Sequence, residues 1–255
     1  MIKQPKTLGV IPARMASSRF PGKPLKKILG IPMLAHCYER ALLSKACDHL
    51  VIATPDEEIM SWSQNHNIPA ILTGHHHQRA TERAQETLEI LGKKGKLFDF
   101  ILLLQGDEPQ IFPDDIKNLS NALCGSELEI INLVYPIDGD DLGNPNVVKA
   151  IMSNASKISF FTRAHVPNRC EKAMRQLGMI GFTIAALTQY TNLQPTPLEE
   201  LESIDMMRLL ENDYEINAVI SSSHILGVDN PEDIAKAELM MTKDLLLKTY
   251  QDKYL

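Results

Sequence analysis

The chain has 255 residues, 44% of them hydrophobic and 23% charged, which suits one large α/β domain with a packed core and argues against global disorder. Its formal net charge of −6 argues against a broad basic face for nucleic acid, but a local cationic pocket for small anions is still possible. The four cysteines (Cys37, Cys47, Cys124, Cys170) are scattered without a Cys-x-x-Cys pair, and no apolar run approaches the ~20 residues of a membrane span or the pattern of a signal peptide, so a cytoplasmic protein with reduced thiols is expected.

In chain order, "TLGVIPA" reads as a buried strand ending at Pro12, and "IPMLAHCYERALLSKAC" has helical spacing, with Met33, Leu34, Cys37, Ala41 and Leu42 on one face. "HLVIATP" is a second buried strand and "DEEIMSWSQNHN" a second helix, with Trp62 as a packing residue. "PAILTG" is a third strand, "TERAQETLEILGKKG" a helix, and "DFILLLQGDEP" an unbroken apolar strand that stops at a polar tip. Beyond Glu127, "EIINLVYPI", "NVVKAIM" and "INAVISSS" read as strands, and "LGMIGFTIAALTQY" as a strand leading into a helix. "PTPLEELESIDMMRLLEND" reads as one helix and "NPEDIAKAELMMTKDLLLKTYQ" as one long amphipathic helix.

Alternation of strands and helices predicts a three-layer, Rossmann-like α/β fold with a mainly parallel central sheet. Residues 1–255 form a single domain, within which about 127–190 contribute an inserted subregion or dimerisation arm. Ligands of such sheets sit beyond the carboxyl ends of the strands, so "PARMASSRFPGK" and "QGDEP" can converge on one crevice.

The first of these loops offers Arg14, Arg19 and Lys23 as charge-assisted donors and Ser17 and Ser18 as hydroxyl donors, a set that suits phosphate oxygens. It has neither the P-loop glycines nor the dinucleotide fingerprint. Asp107 and Glu108 follow a buried strand and offer hard oxygen ligands for Mg²⁺, or a helix cap. Asp229 in "LGVDNPED" is the candidate second carboxylate, with a capping role as its alternative. The run His75–His77 is expected in a solvated loop, because consecutive histidines do not face one way.

These pieces together resemble the 3-deoxy-manno-octulosonate (Kdo) cytidylyltransferases. "IPARMASSRFPGKPL", "TER" at Thr81–Arg83, "QGDEP", "NPNVVK", "FTRAHVP", "LGMIGF", "PTPLEELE" and "GVDNPEDI" recur in that family's order. The resemblance implies a nucleotidyltransferase fold and a reaction in which CTP and a small anionic sugar acid give a CMP-sugar and pyrophosphate, for lipopolysaccharide or surface-glycan synthesis. It implies Arg14, Lys23, Asp107 and Asp229 as catalytic residues, with Asp107 and Asp229 holding Mg²⁺. It implies nucleotide contacts from Pro12, Ala13, Arg14, Ser17, Ser18, Arg19, Lys23, Thr54, Arg83 and Asp107, and sugar contacts from Arg83, Gln105, Arg163, Gln176 and Glu202. A homodimer, with no nucleic-acid partner and no membrane insertion, completes the picture.

The chain departs from that family at Pro55, where Asp is usual; at Arg79-Ala80, for Ser-Gly; at Gln176, for His; and at Asp205-Met206, for Glu-Gln. The triphosphate and metal positions are intact. The resemblance therefore implies that nucleotidyl transfer is retained, whereas the acceptor could be Kdo, a modified ulosonic acid or another small acid such as a phosphonate. A non-catalytic relative is the third alternative. Arg79 could meet an extra anionic group or form a surface salt bridge.

Overall fold

The β-branched and aliphatic runs form strands in the order the hydrophobic pattern sets out. The structure, a computed structural model, describes residues 4–17, 19–222 and 226–255. The amino-terminal half contains β1 (Thr7–Pro12), the short hairpin β2 (Lys27–Ile28) and β3 (Ile31–Pro32), α1 (Met33–Ser44), β4 (His49–Thr54), α2 (Glu57–Asn65), β5 (Ala70–Leu72), α3 (Ala80–Lys93), β6 (Phe100–Leu103) and α4 (Pro113–Cys124). There follow β7 (Ile130–Asp138), β8 (Lys149–Met152), β9 (Lys157–Thr162), β10 (Lys172–Thr183), α5 (Ile184–Asn192), α6 (Pro197–Glu202), α7 (Met207–Leu210), β11 (Ile216–Ile220) and α8 (Asp233–Met241).

Nine strands make one sheet in the order β5-β4-β1-β6-β10-β7-β11-β9-β8. Side-chain alternation along β1 sends Leu8 and Val10 to one face, with Ala84 and Leu91 of α3 and Leu187 and Tyr190 of α5. It sends Ile11 to the other, with Leu34 and Tyr38 of α1 and Ile116 and Leu119 of α4. The three layers expected from the alternation of elements are therefore present.

The sheet itself corrects the expectation of a mainly parallel one: it is mixed. β4–β5, β1–β4, β1–β6 and β7–β11 pair in parallel. β10, however, inserts between β6 and β7 and runs against both. β9 runs against β8 and β11. Hydrophobic runs mark strands without marking their direction, and the β8–β9 hairpin reverses the chain before β10 enters. Residues 127–190 thus supply two central strands, β7 and β10, as well as the edge hairpin.

Two helices expected as single pieces are broken. Ser203 adopts a left-handed conformation (φ 54°) between α6 and α7. The carboxyl-terminal helix stops at Met241 and continues as 3₁₀ turns at Leu247–Thr249 and Gln251–Lys253. β9 has no counterpart among the strands read from sequence.

The carboxyl-terminal turns dock on α1 through buried polar contacts. Arg40 pairs with Asp244 and donates from Nε to the Tyr250 hydroxyl at 3.2 Å. His36 meets the Tyr250 hydroxyl at Nδ1 (2.9 Å) and the Ile28 carbonyl at Nε2 (3.0 Å). That pattern suits a neutral ring, with Nε2–H donating and Nδ1 accepting. Burial, reinforced by the Arg40 charge, pushes the His36 pKa down to about 4. The unfolded chain takes up this proton near pH 6.5 and the folded chain only near pH 4. This residue therefore erodes stability as pH falls through that window, by about 1.4 kcal/mol per pH unit. Urea titrations from pH 7 to 4 should show that slope reduced in His36→Gln; an unchanged slope contradicts the assignment.

Candidate active site

β1 and β6 are neighbours in parallel register, with Val10 opposite Leu103, so their carboxyl ends finish at the same sheet edge. Gly106 lets the two tips close: a Cβ there would lie 2.9 Å from the Pro12 carbonyl oxygen. The Val228 amide donates to the Asp107 carbonyl at 2.9 Å, which stitches the segment after β11 to the same tip. The two stretches expected to converge from the strand alternation do meet, and the segment before α8 joins them.

The loop after β1 is folded on itself. Gly22 takes a positive φ of 73°, and its amide reaches the Met15 carbonyl at 2.9 Å. Asp56 accepts the Met15 amide at 2.7 Å, and the Ser17 hydroxyl accepts the Phe20 amide at 3.3 Å. This folding delivers Lys23 to the carboxylates. Its Nζ donates to Asp107 at 2.7 Å and to the Val228 carbonyl at 2.8 Å, and lies 3.7 Å from Asp229. Arg19 donates to Asp229 at 2.8 Å and to the Asn146 side chain at 3.1 Å. Asp229 is not the cap of α8: the N-cap position is Glu232, with no side-chain cap bond, and the Asp233 carboxylate instead ties back the amides of Asp229 and Asn230.

Asp107 and Asp229 both lie within 4 Å of the Lys23 ammonium nitrogen, on the same side of the site. Among the described residues no cluster of three or more His, Cys, Asp or Glu could hold a metal. A pair of carboxylates is a partial ligand set. It fits Mg²⁺, which takes one or two carboxylates and draws its other ligands from water and substrate phosphate.

Two cavities flank this pair. The first, of about 300 Å³, is lined by Pro12, Ala13, Arg14, Ser17, Arg19 and Lys23 from the loop, by Gln105 and Asp107, and by Arg79 and Arg83 of the α3 entry. Arg83 is buried and donates to the Thr73 hydroxyl and the Gly74 carbonyl. Burial first, and then the Arg14 charge, lower its pKa. Facing guanidiniums of this kind favour an anion between them. Ser18 lies outside the described residues. Thr54 is fully buried at the end of β4, where its hydroxyl accepts the Asp56 amide, and it does not line the cavity.

The second cavity, of about 230 Å³, shares Arg19, Gln105, Asp107 and Asp229 with the first and adds Arg163, Arg175, Gln176, Asn146, Glu108 and Asp205. Glu202 is not in its lining. Its carboxylate accepts the Thr162 hydroxyl and the Arg163 amide, both at 2.8 Å, so it supports Arg163 from behind. Gln176 donates to Asn132 at 2.7 Å, and Asn132 donates to the Leu177 and Met179 carbonyls released by a bulge in β10. Inside that bulge Gly178 packs on Gln105 and donates to Glu108 at 3.2 Å. Burial, and then the neighbouring Asp107, raise the Glu108 pKa to about 7.

Arg79 lines the first cavity and also pairs with Glu199, a buried carboxylate already held by Arg208. The histidine run is not wholly solvated: His77 lines the first cavity and bonds Glu86 at 2.5 Å. Sequence reasoning gave no role to Asn146, Arg175 or Asn132. Asn146 had a signal, since it lies within "NPNVVK", but its link to Arg19 joins residues 127 positions apart.

The cationic loop and the carboxylate pair meet at the strand tips between two cavities that share Arg19, Gln105, Asp107 and Asp229, and similarity to known proteins makes the class that of a nucleotidyltransferase. The cytidylyltransferase family model matches residues 8–218. The mitochondrial 3-deoxy-manno-octulosonate cytidylyltransferase of Arabidopsis thaliana is 37% identical over 247 residues, covering 92% of this chain and 83% of that protein. An 8-amino-3,8-dideoxy-manno-octulosonate cytidylyltransferase of Shewanella sp. is 35% identical, covering 90% of this chain and 96% of its own. A solved structure of CMP:2-keto-3-deoxy-manno-octonic acid synthetase complexed with CTP superimposes with a TM-score of 0.87 at 29% identity, covering 94% of this chain and all of that one. The chain belongs to the cytidylyltransferases, among the 3-deoxy-manno-octulosonate enzymes.

The bulge generates a test. A Cβ on Gly178 would fall 1.9 Å from Cγ of Gln105, at the junction of both cavities. Gly178→Ala should displace Gln105 and lower nucleotidyl transfer by about tenfold or more. Full activity in a folded Gly178→Ala protein would show that Gln105 need not stand there.

Proposed function

We propose that the protein transfers the cytidylyl group of CTP to the anomeric hydroxyl of a 3-deoxy-ulosonic acid, Kdo or a close analogue, and releases pyrophosphate. The observation that carries this reading is the meeting of the two cavities at Asp107 and Asp229. The first cavity suits the nucleotide and the second the acid, so the reacting groups adjoin where the carboxylates and Lys23 stand.

Both substrates are anions and repel one another. The chain's task is therefore to hold them in line and to neutralise charge as the hydroxyl oxygen attacks the α-phosphorus and the bond to the leaving pyrophosphate breaks. Arg14, Arg19 and Lys23 bind the triphosphate, with Arg83 completing the cationic wall. Arg163 and Gln176 bind the sugar acid, and Gln105 lies between the two substrates. Mg²⁺ held by Asp107 and Asp229 would add a Lewis acid at the phosphates. No covalent enzyme nucleophile is required. The same reading makes the protein a homodimer joined through residues 127–190 and places it in the cytoplasm, which its four free thiols suit.

Asp205, Gln176 and Arg79 line the cavities at positions where the chain departs from its family, so the acceptor is the open variable. Pyrophosphate release should be assayed with Kdo and its 8-amino analogue against all four nucleoside triphosphates. Turnover is expected with CTP and at least one of these acids; none with any pair sinks the reading. With that acid, Asp107→Asn should lose about a hundredfold in rate and keep its unfolding midpoint. Near-wild-type turnover in Mg²⁺ would refute the metal assignment.

A further inference from the structure

Lys149 opens β8 opposite Thr162 of β9 and Arg175 of β10, and it is fully buried, an unusual place for a lysine. Among the described residues it forms no ion pair with a carboxylate. Its ammonium instead donates to three backbone carbonyls: Val147 at 2.7 Å, Arg163 at 2.8 Å and Asn144 at 2.9 Å. Three N–H donors meet three acceptors, which is the full capacity of the group. Burial and the nearby Arg163 guanidinium push its pKa below the usual lysine value. Keeping a charge there without a carboxylate is costly, so the cage must secure something beyond packing.

The caged carbonyls lie beside the second cavity. Asn146 and Val148, on either side of Val147, and Arg163, which carries another of the carbonyls, all line it. Asn146 also receives the Arg19 guanidinium that reaches Asp229. Arg163 returns to the same loop by donating to the Pro145 carbonyl at 3.0 Å.

We propose that Lys149 is a positioning residue for the acceptor: its ammonium ties the 144–147 loop to the end of β9 and so fixes Arg163 and Asn146 over the sugar-acid cavity. This rests on the second cavity being the acceptor site. It assigns the lysine of "NPNVVK" to acceptor binding although it touches no substrate.

The test is steady-state kinetics of the full chain, with CTP and the acid varied separately, using an acid that supports pyrophosphate release. Lys149→Met should raise KM for the acid by about tenfold or more and KM for CTP by clearly less, since only Asn146 links the loop to Arg19. Lys149→Arg retains a cation in the strand but replaces the compact ammonium with a planar fork; it should fold and show the same split, less severely. Adding Arg163→Ala to Lys149→Met should cost less than the sum of the single effects, because both act on one contact. Equal rises in both KM values, an unchanged acid KM in the folded variants, strict additivity, or failure of both variants to fold would overturn the proposal and leave Lys149 a core residue. Absence of turnover with every acid in the wild-type chain would instead remove the acceptor reading, and this inference with it.

Discussion

Lys23 is held by two hydrogen bonds, to Asp107 and to the Val228 carbonyl, with Asp229 3.7 Å away, and its position ties the three parts of the site together. Two carboxylates at close quarters repel, and inside a protein that repulsion is screened less than in water. Lys23 and Arg19 balance it in the chain alone. The same four charges suit an exchange in which a triphosphate takes the two cations and a divalent ion takes the two carboxylates. Those four side chains balance one another, and the roughly two negative charges that a triphosphate and one divalent ion would add between them face Arg14 and Arg83 of the first cavity.

The sheet supports that arrangement with little room for movement. Gly106 sets the β1 and β6 tips in contact, and the backbone bond between Val228 and Asp107 fixes the third segment against them. The bulged β10 adds the acceptor side. Asn132 satisfies the carbonyls freed by the bulge, while Gly178 leaves space for Gln105. Asn132 bonds Gln176 and three backbone carbonyls, and these bonds hold the bulge behind the second cavity in place.

Much of this could be read from the residues. β1, β4 and β6 are buried runs with clear ends, and the residue types of the 13–25 loop and of "QGDEP" point to phosphate and metal chemistry without any fold. Strand direction could not be read, because β10 has the same apolar pattern whichever way it runs, and the mixed sheet follows from the β8–β9 hairpin ahead of it. The roles of Thr54 and Glu202 were set by resemblance to a family, and here one closes a turn while the other supports Arg163. Lys149 was hidden for a different reason: a lysine in a strand signals solvent exposure unless one knows that three carbonyls converge on it.

The central claim is that Asp107 and Asp229 share one divalent ion while Lys23 grips the triphosphate. A crystal structure of the protein with CTP and Mg²⁺ tests it directly. Carboxylate oxygens of both residues are expected about 2.1 Å from a single Mg²⁺, with the Lys23 ammonium moved from Asp107 to a phosphate oxygen. Carboxylates too far apart to share an ion, or Lys23 turned away from the nucleotide, would contradict it.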